Sequence, residues 1–245
     1  GFGRAIAKGA RPALSDPDSM AGPKTLAEKI VARHAVVADE LEWDLSPGTA
    51  GFVRPDWRYF HDIFSAQCAH MLHEFYGPDL ELYKPDSIRS FEDHYSYAHR
   101  PEVNAKRDRM PDIRRMAKGH RAFWQKYGLK DHGYLTGEEG SEGISHAIMT
   151  EMYALPGQLL AGTDSHTPHN GALGCLSYGV GSTDMANSLM TGMNRITMPE
   201  SVRVELKGTI PPGVMAKDIV LEVLADSFTK TGGGIGRVYE YGGPA

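Results

Sequence analysis

Apolar and polar positions alternate along this chain in two rhythms. Leu26, Ile30 and Val31 in "TLAEKIVARHAVV" fall on one helical face. Thr25 and Glu28 before them have the spacing of a capping box, in which each side chain satisfies a backbone donor of the other. In "WRYFHDIFSAQCAHMLHEFYG" the apolar positions Ile63, Cys68, Met71, Leu72 and Phe75 predict one largely buried helix, closed by Gly77. "DSIRSFEDHYSYA" reads as a short strand whose carboxyl end carries Glu92, Asp93 and His94. "MPDIRRMAKGHRAFWQKYGL" is amphipathic, with Ile113, Met116, His120, Phe123 and Trp124 on one side and Gly128 as its cap.

The second half continues with a buried strand at "GQLLAG" and a helix at "STDMANSLMTG". That helix has Ser182 or Thr183 near its N-cap and Gly192 past its end. Val202, Val204 and Leu206 alternate in "SVRVELKG", which predicts a strand with one wet face. "AKDIVLEVLADSF" predicts a helix with Ile219, Val223 and Leu224 inward. Alternating strands and helices predict an α/β fold. Residues 1–19 read as a flexible tail and residues 20–245 as the folded region. The glycine-rich end "GGGIGRVYEYGGPA" reads as an interruption.

Composition narrows the function classes. With 245 residues, 41% apolar and 23% charged, the chain has the make-up of a soluble globular protein with a real core. A net charge of -5 gives no nucleic-acid footprint. No apolar run approaches the roughly 18 residues of a membrane span, and the opening lacks the apolar core of a secretory signal. Cys68 and Cys175 are the only cysteines. They suggest a reducing cytoplasmic setting, and they cannot supply three or four thiolates to a metal centre.

The chemistry gathers where strands are expected to end, which is where α/β sheets bind ligands. Asp93–His94 and Asp164–Ser165–His166 are acid–histidine sets, His146 precedes a helix-like segment, and Glu240 lies at a fourth candidate strand end. A carboxylate beside an imidazole fixes its tautomer and raises its pKa, which suits acid–base work near neutrality. The same residues also fit a metal site, a carboxylate-binding loop or a polar turn. Ser165 is outside any G-x-S-x-G elbow, and neither GxGxxG nor GxxxxGK[ST] occurs. Gly171, Gly174, Gly179 and Gly181 serve either turns or close approach to an anion at the helix beginning near Ser182. His70 and His73, and His166 and His169, have metal-compatible spacing, but rim histidines and a broken helix at Pro168 are the plainer readings.

"GTDSHTPHNGALGCLSYGVGSTD" closely resembles the signature of the aconitase superfamily. "KTLAEKIVARHA", "FEDHYSY", "GISHAIMTEMYALPGQLLAGTDSH", "VRVELKGTIPPGVMAKDIVLEVL" and "GGGIGRVYEYGG" follow the same resemblance in order, over roughly residues 20–245 and nearest the isopropylmalate dehydratase branch. It implies three-layer α/β/α domains, this chain being the N-terminal part of the iron-sulfur domain fold. It implies a hydro-lyase acting on a hydroxy di- or tricarboxylic acid at a 4Fe-4S cluster. Asp93 and His94 would protonate the departing hydroxyl, and His146 and Asp164 would form a second pair. Ser165 would hold a substrate carboxylate, and His166 and Glu240 would complete the pocket. His61, where the sequence departs from the family pattern, would also reach substrate. Neither cysteine matches the cluster ligands, so the metal ligands are expected outside this chain. The remainder of a large or split subunit, and a small swivelling-domain subunit, are the implied partners.

Overall fold

A computed structural model describes residues 24–37, 43–96, 110–133, 135 and 140–244, together with the strand Ala13–Leu14. That strand, β1, pairs antiparallel with β2 (Val36–Val37). The rest of the expected tail lies outside the described residues.

Helix α1 spans Leu26–His34, and the expected capping box is present: Thr25 Oγ1 accepts from Glu28 N–H, and Glu28 returns the bond to Thr25 N–H. Such a cap contributes about 1 kcal/mol. Ile30 and Val31 are buried, whereas Leu26 is exposed. A short antiparallel pair follows, β3 (Ala50–Val53) with the later strand β9 (Asn194–Thr197).

Strand β4 (Trp57–His61) corrects the reading of this stretch as one helix; α2 begins only at Asp62 and runs Asp62–Tyr76. Arg58 through His61 are all buried, so both faces of β4 are covered and no alternation marks it as a strand. Aromatic residues favour that extended geometry. Strands β5 (Ile88–Phe91), β6 (Lys130–His132), β7 (Leu159–Gly162) and β8 (Leu176–Gly179) complete a parallel sheet in the order β6-β5-β4-β7-β8. Between β5 and β6 lies α3 (Met110–Tyr127), which ends before Gly128 at φ 63°. Helix α4 (Ser145–Ile148) runs into a π turn, Met149–Tyr153. A 3-10 stretch, Thr167–Leu173, separates β7 from β8, and α5 spans Ser182–Thr191 with Gly181 as its N-cap.

Helices cover both faces of this sheet. Phe60 and Ile88 pack with Cys68, Leu72, Phe123 and Leu189 on one side. Tyr59, Phe91 and Leu160 pack with Ile148 and Met149 on the other. The expected α/β class and α/β/α layering are observed here. Beyond it, β10 (Ser201–Glu205) and β11 (Val238–Gly242) pair in parallel, with α6 (Ala216–Ala225) and α7 (Ser227–Lys230) between them in sequence. The inward face expected of α6 is not buried: Ile219 and Val223 are half-exposed and Leu224 is 54% exposed. Two strands are too narrow a platform to cover a helix face.

The order of the parallel strands fixes the site. From β4 the chain adds β5 and then β6 in one direction, and then returns to add β7 and β8 on the opposite side. The topological switch point is therefore between β4 and β7, where α/β sheets open a crevice at their carboxyl edge.

Candidate active site

The carboxyl ends of β4, β5 and β7 deliver the acid–histidine sets to that crevice. β4 ends in His61 and is followed by Asp62; β5 is followed by Glu92, Asp93 and His94; β7 is followed by Thr163 through His166. Gly162 permits the tight packing at the end of β7, because a Cβ there would lie 2.5 Å from both Tyr59 and Thr167. His146 comes from α4.

Asp93 is the best-anchored member. One oxygen accepts from Ser145 N–H at 2.7 Å, and the other lies 2.7 Å from His94 Nδ1. The far nitrogen of His94, Nε2, is 3.4 Å from Asp164 Oδ2. Asp164 is the hub: its Oδ1 accepts from His166 N–H at 2.6 Å and lies 3.5 Å from His146 Nδ1 and 3.4 Å from His166 Nδ1. The His146 and His166 rings stack at 5.1 Å, and His169 meets His146 edge-on at 5.3 Å. Ser165, exposed, places Oγ 3.2 Å from His166 Nδ1. The His61 ring stacks on His94 with centroids 3.9 Å apart.

The surroundings shift two of the histidines in opposite directions. The hydrogen bond that His94 donates to Asp93 raises the His94 pKa above 6.5 against the opposing effect of burial, and the charges of Asp93, Asp62 and Asp164 add to the rise. Burial alone would raise Asp93, but the His94 and Ser145 bonds outweigh it and lower its pKa below 3.8. Burial lowers the His146 pKa below 6.5; the charge of Asp164 opposes this, while His166 and His169 reinforce it. The crevice thus holds one ring biased towards its charged form and one biased towards its neutral form within reach of one carboxylate, an acid–base division of labour. Titration of ring resonances by NMR should place the His94 midpoint above 6.5 and the His146 midpoint below it; the reverse order would refute this assignment. The linkage signs follow. Stability from the raised His94 is complete below 6.5 and is lost as pH rises through its folded value. Stability from the lowered Asp93 is complete above 3.8 and is lost as pH falls through its folded value.

Seven of the eight residues singled out in the sequence therefore meet: His61, Asp93, His94, His146, Asp164, Ser165 and His166. Glu240 does not meet them. It lies in the middle of β11, not at a strand end, and its Oε1 accepts from Ala27 N–H at 3.1 Å and from Ser201 Oγ at 3.2 Å. Its carboxylate satisfies an otherwise unpaired donor in the first turn of α1. Glu92 is turned away as well, held by Arg121 through bonds of 2.9 and 2.8 Å.

Asp62 is the member that the sequence reading passed over. It is fully buried; Oδ2 accepts from Tyr95 N–H at 3.0 Å, and Oδ1 lies 3.7 Å from His61 Nδ1 and 3.8 Å from His94 Nδ1. Its signal was the acid–histidine adjacency at the end of β4, hidden by the reading of β4 as helix. Donor atoms of His61, Asp62, Asp93 and His94 fall within 4.8 Å of one another, as do those of His146, Asp164 and His166. Their mutual pairing, closest between Asp93 and His94, fits a proton-bearing set.

The other candidates lie apart from this crevice. His70 is 80% exposed beside Glu74, and His73 pairs with Tyr127. Cys68 sits in one apolar cluster, where burial pushes its thiol up to about 12, and Cys175 sits in the other, also raised by burial. Among the described residues no helix is long and apolar enough to cross a membrane.

A family model described as the aconitase family (aconitate hydratase) matches residues 28–245. The chain belongs to the aconitase family. Its relatives include a 3-isopropylmalate dehydratase large subunit 1 of Thermotoga maritima, 34% identical over 200 residues, or 82% of this chain and 42% of the relative. A 3-isopropylmalate dehydratase large subunit of Aquifex aeolicus is 36% identical over 200 residues, covering 80% and 41%. A third, large subunit 2 of Archaeoglobus fulgidus, is 49% identical over 85 residues, covering 35% and 20%. The chain thus spans less than half the length of these relatives.

Proposed function

We propose that this crevice is the proton-handling wall of a hydro-lyase site, acting on a hydroxy di- or tricarboxylic acid of the 3-isopropylmalate, homocitrate or citrate kind. The observation that carries the reading is the Asp93–His94–Asp164 chain at the switch point of an aconitase-family sheet. Asp93 favours the charged form of His94 and leaves Nε2 directed away from itself. From Nε2 the proton passes to the departing hydroxyl as the C–O bond breaks, and water leaves. The proton lost from the neighbouring carbon goes to a base outside these residues. Asp164 orients His94, His146 and His166, and exposed Ser165 hydrogen-bonds a substrate carboxylate. His61 backs His94 by stacking.

Family membership implies a 4Fe-4S cluster. The residues of this chain do not fit it as ligands: Cys68 and Cys175 are buried in separate apolar clusters with their thiols held protonated. The cluster's thiolates come from the remainder of a large or split subunit. A small swivelling-domain subunit closes the site.

The test uses the protein carried to the length of its relatives, loaded with iron and sulfide, and joined by a small subunit. Incubation with 3-isopropylmalate, homocitrate and citrate should give the conjugated, ultraviolet-absorbing product from at least one acid. The 245-residue chain alone should give none. Absence of turnover on all three acids by the loaded assembly, or turnover with stoichiometric iron and sulfide on the isolated chain, would overturn the reading.

A further inference from the structure

His120 sits in the middle of α3, fully buried, edge-on to Phe60 at 6.1 Å. A histidine on an apolar helix face is ordinarily a satisfied core residue, but this ring ties three other elements together. Nδ1 lies 2.6 Å from Ser65 Oγ on α2. Nε2 lies 3.1 Å from Ser90 Oγ on β5 and 3.2 Å from Asp131 Oδ1 on β6. Ser65 Oγ in turn donates to the carbonyl of His61 at 2.9 Å. Ser65 and Ser90 are fully buried as well.

Proton counting along this chain is restrictive. Ser65 has one hydroxyl proton. When it goes to the His61 carbonyl, the bond between Ser65 Oγ and His120 requires a proton on Nδ1. The complete chain therefore runs from His120 Nδ1–H through Ser65 to the His61 carbonyl. A ring with its proton only on Nε2 would draw the Ser65 proton to Nδ1 and release the His61 carbonyl from that hydroxyl. Asp131 is the charged group facing the ring; α2, β4 and β5 present the neutral Ser65, Phe60 and Ser90. The turn held in this way begins with His61, whose ring stacks on His94, and continues with Asp62.

We infer that His120 is a positioning residue: through Ser65 it holds the first turn of α2 and thereby sets the stack of His61 on His94. Its catalytic meaning rests on His94 as the proton donor, but the stack is measurable without turnover. In the histidine-labelled 245-residue chain, ring-current displacement of the carbon-bound ring protons of His61 and His94 reports the stack directly. Ser65→Ala and His120→Gln remove the bond at the Nδ1 position and should abolish the upfield displacement. His120→Asn places an amide where Nδ1 was and should retain it. Phe123→Leu, a cavity in the same apolar cluster, should lower the melting temperature and leave the displacement intact. Unchanged ring shifts in folded Ser65→Ala and His120→Gln would overturn the inference, as would an equal change in Phe123→Leu. Should His120→Gln fail to fold, Ser65→Ala, which removes one oxygen, decides the matter. A failed hydro-lyase assay would leave this result standing, which keeps the two readings separable.

Discussion

Asp93→Asn lowers kcat of the proposed dehydratase, assembled and loaded, by about 10²–10⁴-fold, the range that a positioned acid–base group contributes. The substitution keeps the shape and an acceptor for Ser145 N–H, so the loop after β5 stays in place. It removes the charge that sits 2.7 Å from His94 Nδ1 and supplies the leading cause of the raised His94 pKa. With the amide oxygen kept by Ser145 N–H, the NH2 faces Nδ1 and makes it an acceptor, which reverses the tautomer. The His94 midpoint should fall towards 6.5, and the acidic form should thin out at neutral pH. Because Asp93 does not touch substrate in this reading, KM should change far less than kcat. Steady-state kinetics together with NMR titration of His94 checks both halves. A kcat within about threefold of wild type, far below the range for general acid catalysis, would remove Asp93 from the proton-delivery role.

What was legible in the chain beforehand was what depends on near neighbours. Asp93–His94 and Asp164–His166 interact within their own dipeptide or tripeptide, and the capping box at Thr25 spans one helical turn. Strand ends marked by polar residues after an apolar run then pointed to the crevice. Features set by distant contacts were not legible. Glu240 is bound to Ala27, 213 residues away, so its position in sequence said nothing of its partner. β4 was hidden because burial on both faces erases the two-residue period, and Asp62 was lost with it. The apolar face of α6 was read correctly as apolar, but how much of it is covered depends on what lies against it. Leu221 and Leu224 remain about half exposed.

Arg58→Met should lower the free energy of unfolding by about 3 kcal/mol, the upper end of what hydrogen bonds made by a charged group contribute. Arg58 is 1% exposed, in the middle of the strand that ends in His61. Its Nη1 donates to Ser188 O at 2.8 Å, and its Nη2 donates to Tyr83 O, Lys84 O and Ser87 Oγ at 2.6, 3.1 and 2.5 Å. These bonds join β4 to the end of α5 and to the turn before β5, where Lys84 adopts φ 42°. Burial pulls the guanidinium pKa down to about 10, so the group remains charged at neutral pH. Methionine restores the apolar stem and recovers the desolvation cost of the charge, but it supplies no donor. The Ser188 and Lys84 carbonyls keep the backbone donors Gly192 N–H and Ser87 N–H, and the turn loses the guanidinium that ties it to β4. Lysine should not rescue it, since one ammonium cannot span acceptors on both sides of a planar fork. Urea denaturation of the two variants provides the measurement. Because the same turn leads into β5, the resonances of His61 and His94 should broaden or shift in Arg58→Met under native conditions. A variant as stable as wild type would show that the guanidinium's desolvation cost cancels its hydrogen bonds. In that case the alignment of β4 with β5 would rest on their backbone ladder and the apolar packing of Phe60 and Ile88, without the guanidinium.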